Sequence, residues 1–240
     1  MCSEPTLYRP MMSEEYAEKL RRWHDAAYEE MRQRGERRLS YMGREFVVPA
    51  HVFAPTAMSD LLGAAVLDEV REVDRVLDMG TGCGVNAILA ASTSLDVVGV
   101  DINPHAIASA IANAARNGVA ERTTFFSSDV FDAVEGTFDL IVFDPPFRWF
   151  RPRDLLETSI ADENYRSLTR FMGQASGHLN PGGRILVFFG TSGDIDYLTS
   201  LIERNGFARE TVAAQDFVKD GLTVTYSTQR LTRRLPGSDV

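Results

Sequence analysis

From residue 73 onward, short apolar segments typical of strands alternate with segments of helical spacing, and the connections between them are short. This alternation is the pattern of a doubly wound α/β domain with a mostly parallel sheet. The predicted strands cover residues 75–79, 97–101, 123–127, 138–143 and 184–190. The predicted helices cover residues 85–92, 104–117, 154–179 and 194–205. A strong turn signal, Asn180-Pro181-Gly182-Gly183, precedes the fifth strand.

The end of the chain follows a different pattern. Residues 208–218 and 222–231 flank Lys219-Asp220-Gly221, which predicts an antiparallel hairpin. We therefore predict a Rossmann-like, mostly parallel sheet of seven strands that ends in this hairpin. Dinucleotide-dependent dehydrogenases do not usually end in this way. The predicted α/β domain covers residues 53–240.

Residues 1–52 are predicted to form an N-terminal extension. A helix over 13–34 begins at Ser13, a good cap residue, and carries apolar residues such as Leu20 and Trp23 at helical spacing. A short hairpin over 39–48 follows, and residues 57–70 predict a further helix. Two interpretations of the first helix stay open: it packs on the domain, or it is a lid over a substrate.

Composition narrows the classes of partner. The 240 residues carry a net charge of −9, which disfavours a grip on long nucleic acid and favours a small-molecule or protein partner. No apolar run approaches the roughly 20 residues of a membrane span. The two cysteines, Cys2 and Cys83, form no disulfide framework, which favours a reducing, cytoplasmic compartment. The four histidines lack metal-ligand spacing, so no metal is predicted, and the oligomeric state stays open.

The first predicted strand runs into Asp78-Met79-Gly80-Thr81-Gly82-Cys83-Gly84, and a helix follows. Glycine lets the backbone turn sharply and approach a ligand closely. The free N–H groups of the following helix point to the same place. The spacing is G-x-G-x-G rather than G-x-G-x-x-G, which disfavours a nicotinamide cofactor. Asp78, Gly80, Thr81, Gly82 and Gly84 are therefore candidate cofactor-binding residues.

Acidic residues follow the next two strands. Asp101 ends the second strand, 17 positions after the last loop glycine, where a carboxylate can accept hydrogen bonds from both hydroxyls of a ribose. It and Ile102 are candidate cofactor contacts, although Asp101 can also be a helix cap. After the third strand, Asp129 can accept from an adenine amino group while Val130 packs on the ring; the alternative is a solvated loop aspartate.

The Asp78–Gly84 loop, Asp101, Asp129 and Asp144-Pro145-Pro146-Phe147 together resemble the class I S-adenosylmethionine-dependent methyltransferases. More narrowly they resemble the small-methyltransferase branch, with HemK-like protein-glutamine enzymes and several N6-adenine and guanine-N2 enzymes. The resemblance covers about residues 50–230. It implies S-adenosylmethionine bound across the carboxyl ends of the first strands, with its amino group near Asp78 or the nearby backbone, its ribose at Asp101 and its adenine at Asp129.

The motif after the fourth strand is the candidate catalytic site. Pro145 and Pro146 hold the backbone so that carbonyls face outward, and one carbonyl together with Asp144 can accept both hydrogens of a planar –NH₂ group. Phe147 offers a flat face to a planar acceptor. Direct methyl transfer mainly requires such positioning. The predicted reaction is therefore methyl transfer to a planar nitrogen.

One departure widens the choice of acceptor. Family enzymes that act on glutamine amides usually carry Asn where this chain has Asp144, and ionised Asp can only accept. This disfavours protein glutamine and leaves open a nucleobase amine, another nitrogen, or a nitrogen, carbon or oxygen of a specialised metabolite. Residues 148–153 add three arginines and two aromatics, which suit either an aromatic or anionic substrate or a loop packed on the first helix. The candidate substrate contacts are Phe147, Arg148, Trp149, Arg151 and Trp23.

Overall fold

The computed structural model describes residues 8–234, so Cys2 and the predicted start and end of the chain lie outside the described residues. The strands are β1 (Arg37–Tyr41), β2 (Arg44–Val48), β3 (Arg75–Met79), β4 (Asp96–Asp101), β5 (Thr123–Ser127), β6 (Phe138–Phe143), β7 (Leu179–Gly190), β8 (Phe207–Lys219) and β9 (Leu222–Arg233). The α-helices are α1 (Glu14–Arg32), α2 (Asp60–Glu69), α3 (Val85–Ala90), α4 (Pro104–Arg116), α5 (Arg166–Ala175) and α6 (Ile195–Arg204).

Seven strands form one sheet in the order β5-β4-β3-β6-β7-β9-β8. Strands β3 to β7 are parallel, and β9 pairs antiparallel with both β7 and β8. This confirms the predicted mostly parallel sheet that ends in a hairpin. The chain reverses its direction across the sheet at β3, between β4 and β6, and open α/β sheets bind ligands at such a point.

The sheet is covered on both faces, which explains the continuous apolar runs of its central strands. Side chains of β6 alternate between the two layers: Ile141 and Phe143 pack with α5 and α6, whereas Leu140 and Val142 pack with α2, α3 and α4. The helices therefore hold the carboxyl ends of the central strands in fixed positions.

Two sequence predictions were wrong in detail. The long helix expected over 154–179 is reduced to α5, with short 3-10 turns before and after it. Asn164 and Tyr165 have φ values of 56° and 50°, which interrupt a helix, and the Asp162 carboxylate accepts from the N–H groups of Ser167 and Leu168 at its true start. The expected turn at residues 180–183 is a bulge inside β7, between the pairs Phe138–Leu179 and Leu140–Arg184.

The N-terminal residues pack against the sheet domain through two separate contacts. The Ser13 side chain accepts from the backbone N–H of Tyr16 and so begins α1, as predicted, and α1 buries Leu20 and Trp23 in the layer that contains α5 and α6. The β1–β2 hairpin docks on α4, where the Asn113 side chain accepts from the Val47 N–H. Within residues 8–234, no helix is both long enough and apolar enough to cross a membrane.

Candidate active site

A cavity of about 660 Å³ lies at the carboxyl ends of β3, β4, β5 and β6, where the order of the sheet predicts a ligand site. Its volume falls within the roughly 300–1,000 Å³ of small-molecule and cofactor sites. The structure brings most of the sequence-predicted residues together around it. They are Gly80, Thr81, Gly82, Asp101, Ile102, Asp129, Val130, Asp144, Pro145, Pro146, Phe147, Arg148 and Trp23.

The glycine loop after β3 forms one wall. Gly80, Gly82 and Gly84 all have positive φ values, of 70°, 55° and 88°. A Cβ on Gly82 would meet nothing within 4 Å, so its backbone is open to a ligand, whereas a Cβ on Gly84 would lie 3.0 Å from Ala110 Cα. Gly80 and Gly82 thus line the cavity, and Gly84, which does not, lets the loop pack on α4.

Asp78 differs from the expectation that it would contact a ligand. Its side chain is 1% exposed and lies behind the loop, outside the cavity lining. The carboxylate accepts from Thr81 Oγ1 at 2.6 Å and from the Ala87 N–H at 3.0 Å. Burial raises the pKa of Asp78 to about 7 despite these hydrogen bonds. Asp78 therefore fixes the shape of the loop, and the loop backbone and Thr81 face the cavity.

Asp101 lies at the end of β4 with its carboxylate facing the cavity. One oxygen accepts from the Gly82 N–H at 2.9 Å and the other from the Asn103 N–H at 2.8 Å. Burial raises its pKa. Because each carboxylate oxygen has two lone pairs, both oxygens can still accept from a pair of neighbouring hydroxyls. Ile102, half exposed, lies at the edge of the cavity beside it.

Asp129 is in the cavity wall, but its carboxylate is already engaged. It accepts from Arg170 Nη1 at 2.8 Å and lies 3.7 Å from Arg166 Nη2. The sequence offered two alternatives for Asp129, an acceptor for adenine or a solvated loop aspartate. It did not predict these ion pairs with α5. Val130 is buried beside it with φ of 54°, an uncommon conformation for a β-branched residue that turns the chain around the cavity.

Asp144 follows β6 directly, and its half-buried carboxylate faces the cavity. Among residues 8–234 it receives no hydrogen bond, in contrast to the carboxylates of Asp78 and Asp101. Burial, together with the charge of Asp78, raises its pKa to about 7. A partly buried carboxylate without a hydrogen-bond donor would be stabilised by one. The Asp144 carboxylate is therefore available to accept a hydrogen bond from a ligand.

The rest of the motif is rigid and aromatic. No backbone N–H of the described residues donates to the carbonyls of Pro145 or Pro146. The Phe147 carbonyl accepts from the buried Tyr165 hydroxyl at 2.6 Å, which fixes the end of the motif. The centre of the Phe147 ring lies 5.1 Å from that of Phe189 and 5.8 Å from that of Tyr226. Phe147 is one of the residues that line the cavity.

The segment after the motif divides into residues inside and outside the site. Arg148 lines the cavity, as predicted for a substrate contact. Trp149 does not: its ring is buried against Tyr8 and Phe150, with centroid distances of 5.8 and 4.9 Å. Arg151 is exposed and also outside the cavity. The structure therefore does not bring Trp149 and Arg151 into the site, because the chain turns from the cavity toward the α1 interface after Arg148.

Helix α1 crosses the open side of the cavity, and Trp23, His24, Ala27 and Met31 contribute to its lining. One anchor is the pair in which His24 Nε2 donates to Glu157 Oε1 at 2.6 Å, with both side chains buried. The other is the hydrogen bond from Trp23 Nε1 to Asp220 in the β8–β9 turn. Helix α1 is thus held at both sides of the cavity mouth.

Sequence reasoning missed Glu157, Ser192 and Lys219, which also lie at or beside the cavity. They come from three separate segments, and none belongs to a local motif. Ser192 follows β7 and Lys219 ends β8, so only the sheet order brings them next to Arg148 and Trp23. The only sequence signal for this region was the apolar spacing on α1. It indicated that one face of α1 is buried, but not which residues it packs against.

A family model for the methyltransferase small domain matches residues 43–217 of this chain. Since the match covers well over half of the sequence, the chain belongs to this family. This confirms the resemblance to class I methyltransferases that the sequence motifs indicate.

Relatives of known name agree with this assignment. The release factor glutamine methyltransferase of Geobacter sulfurreducens is 31% identical over 192 residues, which are 73% of this chain and 66% of that protein. The ribosomal RNA small subunit methyltransferase C of Haemophilus influenzae is 36% identical over 115 residues, 47% of this chain and 31% of that one. The chain thus spans less than two thirds of these relatives.

The fold is shared with the crystal structure of ribosomal protein L11 methylase from Lactobacillus delbrueckii subsp. bulgaricus. The two superpose with a TM-score of 0.58 at 20% identity, over 77% of this chain and 82% of that one. This likeness shows that the two proteins share a Rossmann-like fold.

Proposed function

We propose that this protein is an S-adenosylmethionine-dependent methyltransferase that acts on a planar nitrogen. The observation that carries the proposal is a single cavity with two different walls. One wall has the open glycine backbone and Asp101, and the other has the Asp144 carboxylate, which receives no hydrogen bond from residues 8–234. Membership of the methyltransferase small domain family supports the same activity.

The residues present fit S-adenosylmethionine. Asp101 would hold the ribose hydroxyls, because both of its oxygens keep a lone pair toward the cavity. The backbone from Gly80 to Gly82 would hold the amino-acid end, since a Cβ on Gly82 would occupy open space there. Val130 and Asp129 would contact the adenine. When bound, the cofactor supplies an electrophilic methyl group.

The acceptor wall positions the nitrogen. Asp144 and the free Pro145 carbonyl would accept the two hydrogens of a planar –NH₂ group, which leaves the nitrogen lone pair directed at the methyl carbon. The Phe147 ring would pack on the plane of the acceptor. As the nitrogen gains positive charge, it becomes a stronger donor to the ionised Asp144, which can take up the released proton at an oxygen whose pKa is about 7.

A small-molecule or protein acceptor suits the molecule better than nucleic acid, given its net charge of −9. One relative is named for a glutamine in a release factor. A second candidate function is methylation of a nitrogen, carbon or oxygen of a specialised metabolite. The observation that favours it is α1, whose side chains line the cavity and restrict access by a large acceptor.

Calorimetric titration with S-adenosylhomocysteine tests the cofactor assignment without knowledge of the acceptor. The protein should bind it, and Asp101→Ala should weaken binding by about a hundredfold, the effect of lost hydrogen bonds to a charged group. Asp96→Ala, at the exposed opposite end of the same strand, should bind like the unchanged protein. Absence of binding by the unchanged protein at millimolar ligand would overturn the proposal.

A further inference from the structure

Arg148 is a partly buried cation whose guanidinium Nε is fully buried, and it has no acidic partner among residues 8–234. Its Nη1 donates to the Ser192 carbonyl, and no carboxylate of residues 8–234 lies within 4.0 Å of its guanidinium. Its Nε and the hydroxyl of Ser192 are both buried, and neither has a hydrogen-bond partner among the described residues. Both residues line the cavity on the acceptor side.

Arg184, which is buried, shows how the fold matches such a charge elsewhere. Arg184 pairs with Glu69 at 3.0 Å and with Asp74 at 2.8 Å, so its charge is matched within the fold. An uncompensated buried charge is strongly destabilising. Burial accordingly lowers the pKa of Arg148. A group retained at such a cost beside a ligand cavity is best explained by a ligand that supplies the missing charge.

Six acidic residues line the cavity, and none of their carboxylates lies within 4.0 Å of the Arg148 guanidinium. Asp129 is paired with Arg170, Glu30 with Arg34, and the Asp162 carboxylate accepts from two backbone N–H groups of α5. Asp101 accepts from two backbone N–H groups, and Asp144 belongs to the acceptor motif. The groups that face Arg148 are instead the phenols of Tyr16, Tyr165 and Tyr226.

A second cation lies nearby on the edge of the cavity. Lys219 Nζ is 4.9 Å from the centre of the Trp23 ring, and among residues 8–234 it forms no ion pair within 4.0 Å. Its position at the end of β8 places it beside α1. The acceptor side therefore has positive charge from Arg148 and Lys219 and aromatic surface from Phe147 and Tyr226.

We propose that the methyl acceptor is a small anion, whose carboxylate or phosphate pairs with Arg148 while its planar amine lies at Asp144. Arg148 and Asp144 are four residues apart, so their Cα atoms are separated by no more than about 14 Å, within the reach of one small molecule. A guanidinium suits either oxyanion through paired hydrogen bonds. This inference rests on the proposed function and adds the charge and size of its substrate.

The test uses the protein saturated with S-adenosylhomocysteine and two pairs of probes. 4-Aminobenzoate is compared with neutral 4-aminobenzamide, and adenosine monophosphate with adenosine, so that the carboxylate and phosphate sources are distinguished. In at least one pair, calorimetry should show the anion binding about ten- to hundredfold more tightly, the effect of hydrogen bonds between charged groups. Arg148→Met should remove this preference.

Controls separate this inference from the proposed function and from misfolding. Arg151→Met, an exposed arginine outside the cavity, should retain the full preference for the anion. Arg148→Lys, which keeps the charge without the planar fork, should retain part of it. Each variant must bind S-adenosylhomocysteine as the unchanged protein does, which shows that it is folded.

Several results overturn the inference while leaving the proposed function intact. They are retained cofactor binding with equal or no binding of all four probes, an anion preference that survives Arg148→Met in a folded protein, or tighter binding of a neutral glutamine-containing peptide than of either anion. Failure to bind S-adenosylhomocysteine would instead contradict the proposed function.

Discussion

The two walls of the cavity are built in opposite ways. On the cofactor wall, Asp101 and, behind the glycine loop, Asp78 each accept two hydrogen bonds from the protein itself, so that wall is complete before a ligand arrives. On the acceptor wall, Asp144 receives no hydrogen bond and Arg148 has no acidic partner among residues 8–234. The polar groups of the cofactor wall find their partners within the protein, whereas those of the acceptor wall require a ligand to supply them.

This difference follows from which parts of the chain form each wall. The cofactor wall comes from consecutive segments at the ends of β3 and β4. The acceptor wall combines residues 144–148 with α1 and with the β8–β9 turn, which lie far apart in the sequence. Changes on the acceptor wall should therefore alter catalysis and the packing of α1, and leave cofactor affinity nearly constant.

The largest expected effect is from Asp144→Ala. Loss of the group that accepts from the nitrogen should lower turnover by about a thousandfold, comparable to the removal of one key hydrogen-bonding group from an active site. Affinity for S-adenosylhomocysteine should stay within about threefold, since other residues contact the cofactor. Steady-state assays with an identified acceptor, paired with calorimetry, measure both quantities.

Asp68→Ala provides the control, because Asp68 is an exposed carboxylate on α2 outside the cavity. It should change neither turnover nor cofactor affinity. If Asp144→Ala weakened cofactor binding as strongly as it lowered turnover, the division into two walls would be wrong.

The next effect concerns the anchor of α1. The Glu157 carboxylate is 1% exposed and accepts from His24 Nε2 and from Arg153 Nη2, each at 2.6 Å, and also from the Arg153 backbone N–H. Although burial opposes it, these hydrogen bonds hold the pKa of Glu157 below its ordinary value. Glu157→Ala leaves the buried His24 without its partner and Arg153 with only Asp25, so it should lower the free energy of unfolding by about 3 kcal/mol, measured by urea denaturation.

Hydrogen exchange then shows where this loss acts. We expect faster exchange in α1 after Glu157→Ala, with the loop at residues 80–86 unchanged. Glu157→Gln, which keeps one acceptor oxygen, should fall between the two proteins. Uniformly faster exchange across the sheet would show that Glu157 stabilises the whole fold rather than α1 alone.

The same contrast explains what the sequence could predict. The sheet and the Asp78–Gly84 loop are encoded by local periodicity and spacing, and all five predicted strands of the parallel part form. The role of Asp78 was not predictable, because whether a carboxylate faces the cavity or the Ala87 N–H depends on packing. Trp149 and Arg148 are adjacent in the sequence, yet only the tertiary contact with Tyr8 separates a core residue from a site residue.

The smallest effect tests the cost of the unpartnered carboxylate directly. Burial and the charge of Asp78 raise the pKa of Asp144 to about 7, against about 3.9 in an unfolded chain. Between these values the folded protein keeps a proton that the unfolded chain has released, so rising pH weakens the fold through this window and the loss is complete above about pH 7. Asp144→Asn removes that titration.

A shift of about three pKa units corresponds to about 4 kcal/mol for a group shielded from solvent. Because solvent reaches the half-buried Asp144, Asp144→Asn should be more stable than the unchanged protein by about 1–2 kcal/mol at pH 8, with a much smaller difference near pH 4. Urea denaturation of both proteins across this range measures the difference, to which Asp78 contributes in both. Asp68→Asn, at an exposed site outside the cavity, should leave the free energy of unfolding at pH 8 nearly unchanged. A constant difference for Asp144→Asn would mean that its carboxylate is as well solvated as a surface group. The ionised Asp144 would then not destabilise the fold, and a ligand would gain no free energy by pairing with it. The contrast between the two walls would have no energetic basis.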